Sequence, residues 1–336
     1  MKTLSVVIPF FQRKPGVLGK TLQSLEAQTI PQGWQLRAVL IDDGSPLPAR
    51  QEVVGYELTG PRTMHLVEQV NSGVGAARNH GLKIAIPKSD AIAFLDSDDI
   101  WPSDHVARAI AALDEGFDFY FTDNRRAGRH ESHVRSPHVP RTAELISEAN
   151  KNSGIAELPI DKIVGLCLRE FPCQASTVVY RKKIAPLLRF STHLKSSGED
   201  VLFFTELLSR SSRVGFDLDS MVECGEGVNI FFSNLGWDAP RFLNIKVDQL
   251  LTHRVLAKAG FLGKNNKALN EGRIKTFTGE LSFHLVRNLL KNPGKATPQA
   301  WRLLKTDPGA GIRVFAGFPQ AIVGKLLGKS APAEAD

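Results

Sequence analysis

Ala91-Ile92-Ala93-Phe94-Leu95 runs without a polar residue into Asp96-Ser97-Asp98-Asp99, and this junction decides the fold. A strand buried on both faces of a parallel sheet reads as such an apolar run rather than as an alternation. In open α/β sheets, ligands bind just beyond the carboxyl ends of the strands. Three acids within four positions repel one another, and a bound cation relieves that repulsion. Carboxylate oxygens suit Mg²⁺ or Mn²⁺, ions that bridge one or two carboxylates to substrate phosphates. A polar loop with an Asp N-cap ahead of a helix near Pro102 is the other reading of the same residues.

The pattern extends outward from this junction. Leu4-Ser5-Val6-Val7-Ile8-Pro9 reads as a first buried strand that Pro9 ends. Residues 17–28 place Val17, Leu18, Leu22 and Leu25 at helical spacing. Leu36-Arg37-Ala38-Val39-Leu40-Ile41 is a second strand, closed by Asp42-Asp43-Gly44-Ser45. Residues 65–70 make a short third strand, 75–86 a helix and 91–95 the fourth strand. This alternation predicts parallel strands joined by crossover helices. Polar clusters at 9–13, 42–45 and 96–99 then share one rim of the sheet and converge on one crevice. Residues 125–159 read as a polar, loop-rich insertion with a short helix near 143–150. Strand character returns at 176–180, followed by an apolar helix at 201–209 and a strand and loop in 222–232. Residues 240–290 are helical in pattern, and 330–336 read as a disordered tail.

A chain of 336 residues with 42% hydrophobic content supports about two domains, or one α/β domain with a helical addition. The boundary is expected at 238/239, separating an α/β part (1–238) from a basic, mostly helical part (239–336). Cys167, Cys173 and Cys224 form neither a disulfide framework nor a zinc spacing, and read as reduced thiols of a cytoplasmic protein. The opening run, Leu4 to Pro9, reads as a strand rather than a basic-then-apolar leader, and no apolar stretch approaches the roughly 18 residues of a membrane span, so neither a signal peptide nor a transmembrane helix is expected. Residues 241–336 carry 16 Lys+Arg against 6 Asp+Glu, a net of +10, whereas the whole chain is +7. The main domain is therefore slightly acidic, which argues against a nucleic-acid groove through it. The basic end suits peripheral contact with an anionic membrane at the inner face of the cell, or a solvated helical face.

Six segments together resemble the family 2 glycosyltransferases. They are Val6-Val7-Ile8-Pro9-Phe10-Phe11, the stretch from Thr21 through Thr29, Ile41-Asp42-Asp43-Gly44-Ser45, the stretch from Asn71 through Gly81, Phe94-Leu95-Asp96-Ser97-Asp98-Asp99, and Gly198-Glu199-Asp200. Each alone is an ordinary pattern, but they follow the family's order and intervals over residues 3–235. The resemblance implies a GT-A fold, a Rossmann-like, mainly parallel mixed sheet flanked by helices. It also implies a nucleotide-diphosphate sugar donor and a saccharide or lipid-linked acceptor.

By that resemblance, Asp43, with Asp42 beside it, accepts a hydrogen bond from the uracil of a UDP-sugar, and Pro9 and Phe11 line the base pocket. A turn residue capping nearby backbone N–H groups is the plain reading of Asp43. Backbone near Gly75 faces phosphate, and Arg78 pairs with the diphosphate or with the acids near Asp96. Asp96-Ser97-Asp98 matches the family's D-x-D signature. Asp98 then coordinates a divalent metal (Mn²⁺ or Mg²⁺), Asp96 holds ribose or metal, and Asp99 is a third ligand or a neighbour of one. Asp200 becomes the general base and Glu199 its supporting acid, although Ser197-x-x-Asp200 and Ser196-x-x-Glu199 are also capping-box patterns. Trp101 covers the donor sugar or simply packs, and Gln174 and Ser176 lie where the family meets its acceptor. The implied reaction is a single in-line displacement with inversion at the anomeric carbon.

One departure stands out. Many family members place a His after the catalytic helix, but the segment from Cys224 through Ile230 has none, leaving Glu226 or Asn229 as substitutes. Two other functions compete. A sugar nucleotidyltransferase attacks phosphorus and releases pyrophosphate, but its Gly-rich, Arg-containing loop after the first strand is missing. A non-catalytic nucleotide-sugar-binding protein has no need of Asp98, Glu199 and Asp200.

Overall fold

The computed structural model describes residues 1–152, 154–225 and 241–319. The described strands are β1 (Lys2–Phe10), β2 (Trp34–Asp42), β3 (Arg62–Glu68), β4 (Ala91–Phe94), β5 (Phe119–Arg126), β6 (Asn150–Asn152), β7 (Ile155–Leu158), β8 (Val178–Arg181) and β9 (Val214–Cys224). The helices of the first half are α1 (Leu18–Glu26), α2 (Ala49–Glu52), α3 (Val74–Ala85), α4 (His105–Asp114), α5 (Pro140–Glu148) and α6 (Ile160–Cys167). Those of the second half are α7 (Glu199–Ser209), α8 (Phe242–Lys258), α9 (Lys264–Lys291), α10 (Pro293–Thr306) and α11 (Pro308–Ala316).

The chain divides into two compact units. One comprises Met1–Thr192 with Phe203–Val228, the other His193–Leu202 with Asn229–Asp336. Glu199 and Asp200 thus group with the C-terminal helices. The boundary expected at 238/239, the stretch 226–232 and the tail 330–336 lie outside the described residues.

The first unit is a mixed sheet ordered β3-β2-β1-β4-β8-β5-β9-β7-β6. Its first four strands are parallel, as the alternation of apolar runs requires. β1 and β4 are buried along almost their whole length, whereas edge strand β3 alternates. Leu18, Leu22 and Leu25 of α1 join the core on one face of the sheet. Pro9 does not end β1: it pairs with Ile41, and the strand runs on to Phe10. Successive residues of a parallel strand turn their polar groups to alternate neighbours, and Val7 faces β4. Pro9 therefore lacks its N–H on the β4 side, where the ladder has already stopped at Phe94.

Beyond β4 the order departs from the simple alternation. β8 pairs antiparallel with both β4 and β5. The polar stretch 125–159 is more regular than its composition suggests: it holds the end of β5, helix α5 and the β6–β7 hairpin, whose β7 joins β9. The second unit has its own core, built from Val247, Leu250 and Leu251 of α8, Phe277, Leu281 and Leu285 of α9, Leu303 of α10 and Val314 of α11. Among the described residues, no helix is long and apolar enough to cross a membrane.

Candidate active site

Chain order reverses at β1, with β2 on one side and β4 on the other, so the crevice for a ligand opens beyond Phe10 and Phe94. The polar clusters do meet there. Asp43 N–H donates to the Phe10 carbonyl at 2.9 Å, and Gln12 N–H donates to Ser45 Oγ at 2.7 Å. Gln12 Nε2 donates to Ser97 Oγ at 3.1 Å, tying the end of β1 to the acidic turn. Thr21 of α1 donates to the carbonyls of Ser97 and Asp99, each at 2.9 Å. The sequence reading set Gln12 in a polar cluster and Thr21 in a family segment but gave neither a role. Their roles become visible only once β1 and β4 lie side by side.

The acidic turn is built from outside as well. Asp96 and Asp98 are half-buried, Ser97 and Asp99 buried. Arg78 of α3 donates to Asp96 Oδ1 at 2.8 Å, and its guanidinium lies 5.3 Å from the centre of the Phe190 ring. Asn79 anchors Phe190 through two hydrogen bonds to its backbone. Ser176 is fully buried, and its Oγ accepts the Asp96 N–H at 2.9 Å. The end of β9 docks on the turn: Ile100 and Glu223 exchange backbone hydrogen bonds, and Gly225 N–H donates to Asp99 Oδ1 at 2.9 Å. A side chain at Gly225 would lie 2.5 Å from Asp98 Oδ2 and collide with the Asp98 carbonyl.

Crowding shows in the protonation equilibria. Burial, then the neighbouring Asp96, pushes the Asp98 carboxyl up to about 6. Burial, Asp96 and Asp98 raise Asp99 well above its usual range, while Ser176 and the Gly225 N–H work the other way. Burial and then the three acids also push the Cys224 thiol up, and it donates to Gln174 Oε1 at 2.9 Å.

Asp42 and Asp43 are both buried, and each holds a loop. Asp42 accepts from the backbone N–H of Ser45 and of Ala49, so it caps the turn and α2. Asp43 accepts from Gln69 Nε2, Ser72 N–H and Gly73 N–H, each at 2.8 Å. Two N–H groups of the glycine-containing loop, at 72 and 73, therefore turn toward Asp43, where the sequence reading aimed this loop at phosphate. Gly75 follows in the first turn of α3 and is buried. Pro9 is buried inside β1, whereas Phe11 is half-buried at the rim with Arg13 against its ring.

Trp101, read as covering the donor sugar or packing, and Gln174 and Ser176, read as lying where the acceptor is met, all have partners inside the protein. Trp101 is 2% exposed, donates from Nε1 to the Ser176 carbonyl at 2.7 Å and stacks on His105. These contacts are those of the packing alternative. Burial pushes His105 down to about 3, so this imidazole stays neutral. Ser176 is committed to the acidic turn, and Gln174 to Cys224. Glu199 and Asp200 open α7, where Asp200 Oδ1 accepts the Val201 N–H at 2.8 Å. The Ser197 hydroxyl donates to the Ile245 carbonyl at 3.4 Å. Glu226 and Asn229 lie outside the described residues.

Could these acids hold a divalent cation? Among the described residues, no group of three or more His, Cys, Asp or Glu forms a metal cage. The three acids face different partners: Asp96 faces Arg78, and Asp99 faces Gly225. Yet Asp99 Oδ2 is buried without a well-formed hydrogen bond among the described residues, and Asp98 is strained by its acidic neighbour. This hard-oxygen set fits an ion held by one or two carboxylates, with phosphate oxygens completing its coordination.

Comparison with known proteins follows the same line. The family described as Glycosyl transferase family 2 matches residues 5–161. The succinoglycan biosynthesis protein ExoW of Rhizobium meliloti is 34% identical over 244 residues, covering 72% of this chain and 75% of that protein. The crystal structure of S. aureus TarS 1–349 in complex with UDP-GlcNAc superposes with a TM-score of 0.65 at 18% identity, over 98% of this chain and 93% of that one. The mannosyltransferase PcManGT of Pyrobaculum calidifontis, in complex with GDP-Man and Mn²⁺, gives a TM-score of 0.53 at 15% identity, over 97% and 88%. These likenesses establish the GT-A fold.

Proposed function

Because this chain belongs to glycosyl transferase family 2, a family of nucleotide-sugar glycosyltransferases, we propose that it moves a sugar from a UDP-sugar to a hydroxyl of a saccharide or lipid-linked saccharide, with inversion at the anomeric carbon. The observation that carries this reading is the acidic turn beyond β4. It stands at the switch point of the sheet, and Asp98 is desolvated and repelled by Asp96. Such a carboxylate gains from a cation, and Asp98 is the residue that would hold it, with Asp96 and Asp99 around it. When bound, a divalent ion supplies Lewis-acid stabilisation of the departing diphosphate. Arg78 stands against Asp96 and keeps that carboxylate in place. Phe11 offers a face for the nucleobase, Pro9 is the second residue of that base pocket, and Asp43 keeps about one lone pair beyond its three hydrogen bonds.

Asp200 is the proposed base. As the acceptor oxygen bonds to the anomeric carbon, its proton passes to Asp200, and the sugar–phosphate C–O bond breaks, its electrons leaving with the nucleoside diphosphate. Asp200 stands in the first turn of α7, and a helix N-terminus favours negative charge, the form a base needs. Glu199 supports it. UDP is favoured because solved structures of similar fold hold UDP and UDP-GlcNAc, although another holds GDP-Man. The net +10 of residues 241–336 supports peripheral contact with an anionic membrane from the cytoplasmic side.

A panel of nucleotide sugars with Mn²⁺ or Mg²⁺, scored for free nucleoside diphosphate, tests the reading. Release of pyrophosphate instead would identify a nucleotidyltransferase, and binding without turnover a non-catalytic protein. Asp98→Asn is expected to lose metal-dependent donor binding and turnover together, and Asp200→Asn to lose turnover alone.

A further inference from the structure

We propose that Asp248 and Arg302 are positioning residues for the Glu199–Asp200 pair, fixing from the C-terminal helices the loop that delivers it. This assignment rests on the reading of Asp200 as the base.

Asp248 of α8 is fully buried. Its Oδ2 accepts the backbone N–H of Ser196 at 2.8 Å and of Lys195 at 3.2 Å. Its Oδ1 takes the guanidinium of Arg302 from α10, and that same Nη2 donates to the His193 carbonyl at 3.0 Å. Ser197 is held through its hydroxyl by the Ile245 carbonyl. One turn further along α8, Thr252 donates from Oγ1 to the Asp248 carbonyl at 2.8 Å and fills the space beside Gly198. Gly198 has φ +87, and a methyl group there would collide with the Thr252 hydroxyl. The Gly198 carbonyl then accepts the Leu202 N–H at 3.0 Å, closing the first turn of α7, whose leading residues are Glu199 and Asp200.

A buried ion pair is weak evidence for stability, because desolvation offsets most of its attraction. Here Asp248 spends its second oxygen on one short loop, 193–196, and Arg302 reaches the same loop at His193 besides its own helix at Gln299, which points to orientation. The Ser197 hydroxyl adds a further tie from this loop to α8. A base must be held to about half an ångström, and a 1 Å misplacement costs about a hundredfold in rate.

Asp248→Asn and Arg302→Gln in the full chain, assayed with UDP-sugar and Mn²⁺, test the assignment. Each is expected to lower kcat roughly tenfold to a hundredfold while the affinity for UDP and Mn²⁺ holds, and Arg302→Lys should recover most of the rate. In an Asp200→Asn background, Asp248→Asn should change the residual single-turnover rate less than about twofold, because a residue acting through Asp200 loses its effect with it. Should Asp248→Asn fail to fold, the Arg302 variants, at a partly exposed position, decide alone. The assignment is overturned by parental kcat in the folded variants while Asp200→Asn is inactive. It is equally overturned if the loss from Asp248→Asn multiplies in full with that from Asp200→Asn. If Asp200→Asn itself turns over at the parental rate, the base reading fails, and this assignment fails with it.

Discussion

Asp43→Asn separates two roles that one carboxylate can play. The side chain is isosteric, so it opens no cavity. Asp43 accepts from Gln69 Nε2 and Ser72 N–H on Oδ1 and from Gly73 N–H on Oδ2. An asparagine has one acceptor oxygen. Oriented best, it keeps the Gln69 and Ser72 bonds but points its own N–H groups at Gly73. A hydrogen bond to a charged acceptor contributes about 1.5–3 kcal/mol, and a stranded donor costs about 1–3 kcal/mol. The two retained bonds also lose their charge assistance. Together these imply a local loss of about 2–4 kcal/mol in holding the loop ahead of α3. At the lower figure, the opening equilibrium shifts by roughly thirtyfold. Amide hydrogen exchange of Ser72 and Gly73 reads this directly, with Leu82 in the interior of α3 as the internal reference. Exchange at Ser72 and Gly73 is expected to accelerate about thirtyfold or more, while Leu82 is unchanged and donor affinity falls. Exchange rates within about threefold of the parent would refute the bracing role and leave Asp43 as a donor contact only.

Other variants probe the surroundings of that rim and the helical unit. Gly225→Ala drives a methyl group against the carbonyl and Oδ2 of Asp98, and should weaken metal-dependent UDP binding at least tenfold with the fold intact; calorimetry showing affinity within twofold would remove this contact from the site. Asp307 caps α11 and pairs with Arg254 and Lys258; hydrogen bonds from Arg254 and Ala310 outweigh the opposing burial and hold its carboxyl down to about 2. A depressed carboxyl stabilises above its unfolded value near 4 and loses that contribution as pH falls toward 2. Asp307→Asn should therefore lower stability by about 2 kcal/mol at pH 7 and flatten the acid limb between pH 4 and 2; a denaturant titration showing parallel pH profiles would contradict it. The basic residues of 241–336 predict binding to anionic vesicles that weakens as salt shortens the Debye length from about 10 Å to about 3 Å. Equal sedimentation with neutral vesicles would count against that contact.

The parallel half of the sheet was legible because it is written locally. Buried central strands need unbroken apolar runs, crossover helices need a 3.6-residue period, and each strand must stop at residues that tolerate solvent or a ligand. Those stops, read at Pro9, Asp42 and Asp96, gave the rim and the acids upon it, although β1 runs one residue past Pro9. The family resemblance added roles to the residues, among them Asp98 and Asp200. In the other half, strand character showed at 176–180, but the order of the strands was not legible. β8 is four residues long and sits between β4 and β5, strands far from it in the chain, so its place depends on partners that no local pattern names.

Within the site the division is similar. Composition and spacing marked the charged residues, since acids packed together are conspicuous in sequence. Only the tertiary structure assigned their restraints. Ser176 turned out to hold Asp96, Asp43 to hold the 72–73 loop, and Trp101 to pack beneath the turn. Likewise, nothing local joins Asp248 to Ser196, 52 positions away. The amino-acid order determined which groups can bear charge and where strands must end. Which of those groups are spent on bracing the backbone was decided by long-range pairing, because a hydrogen bond satisfies whichever partner the fold brings within 3 Å.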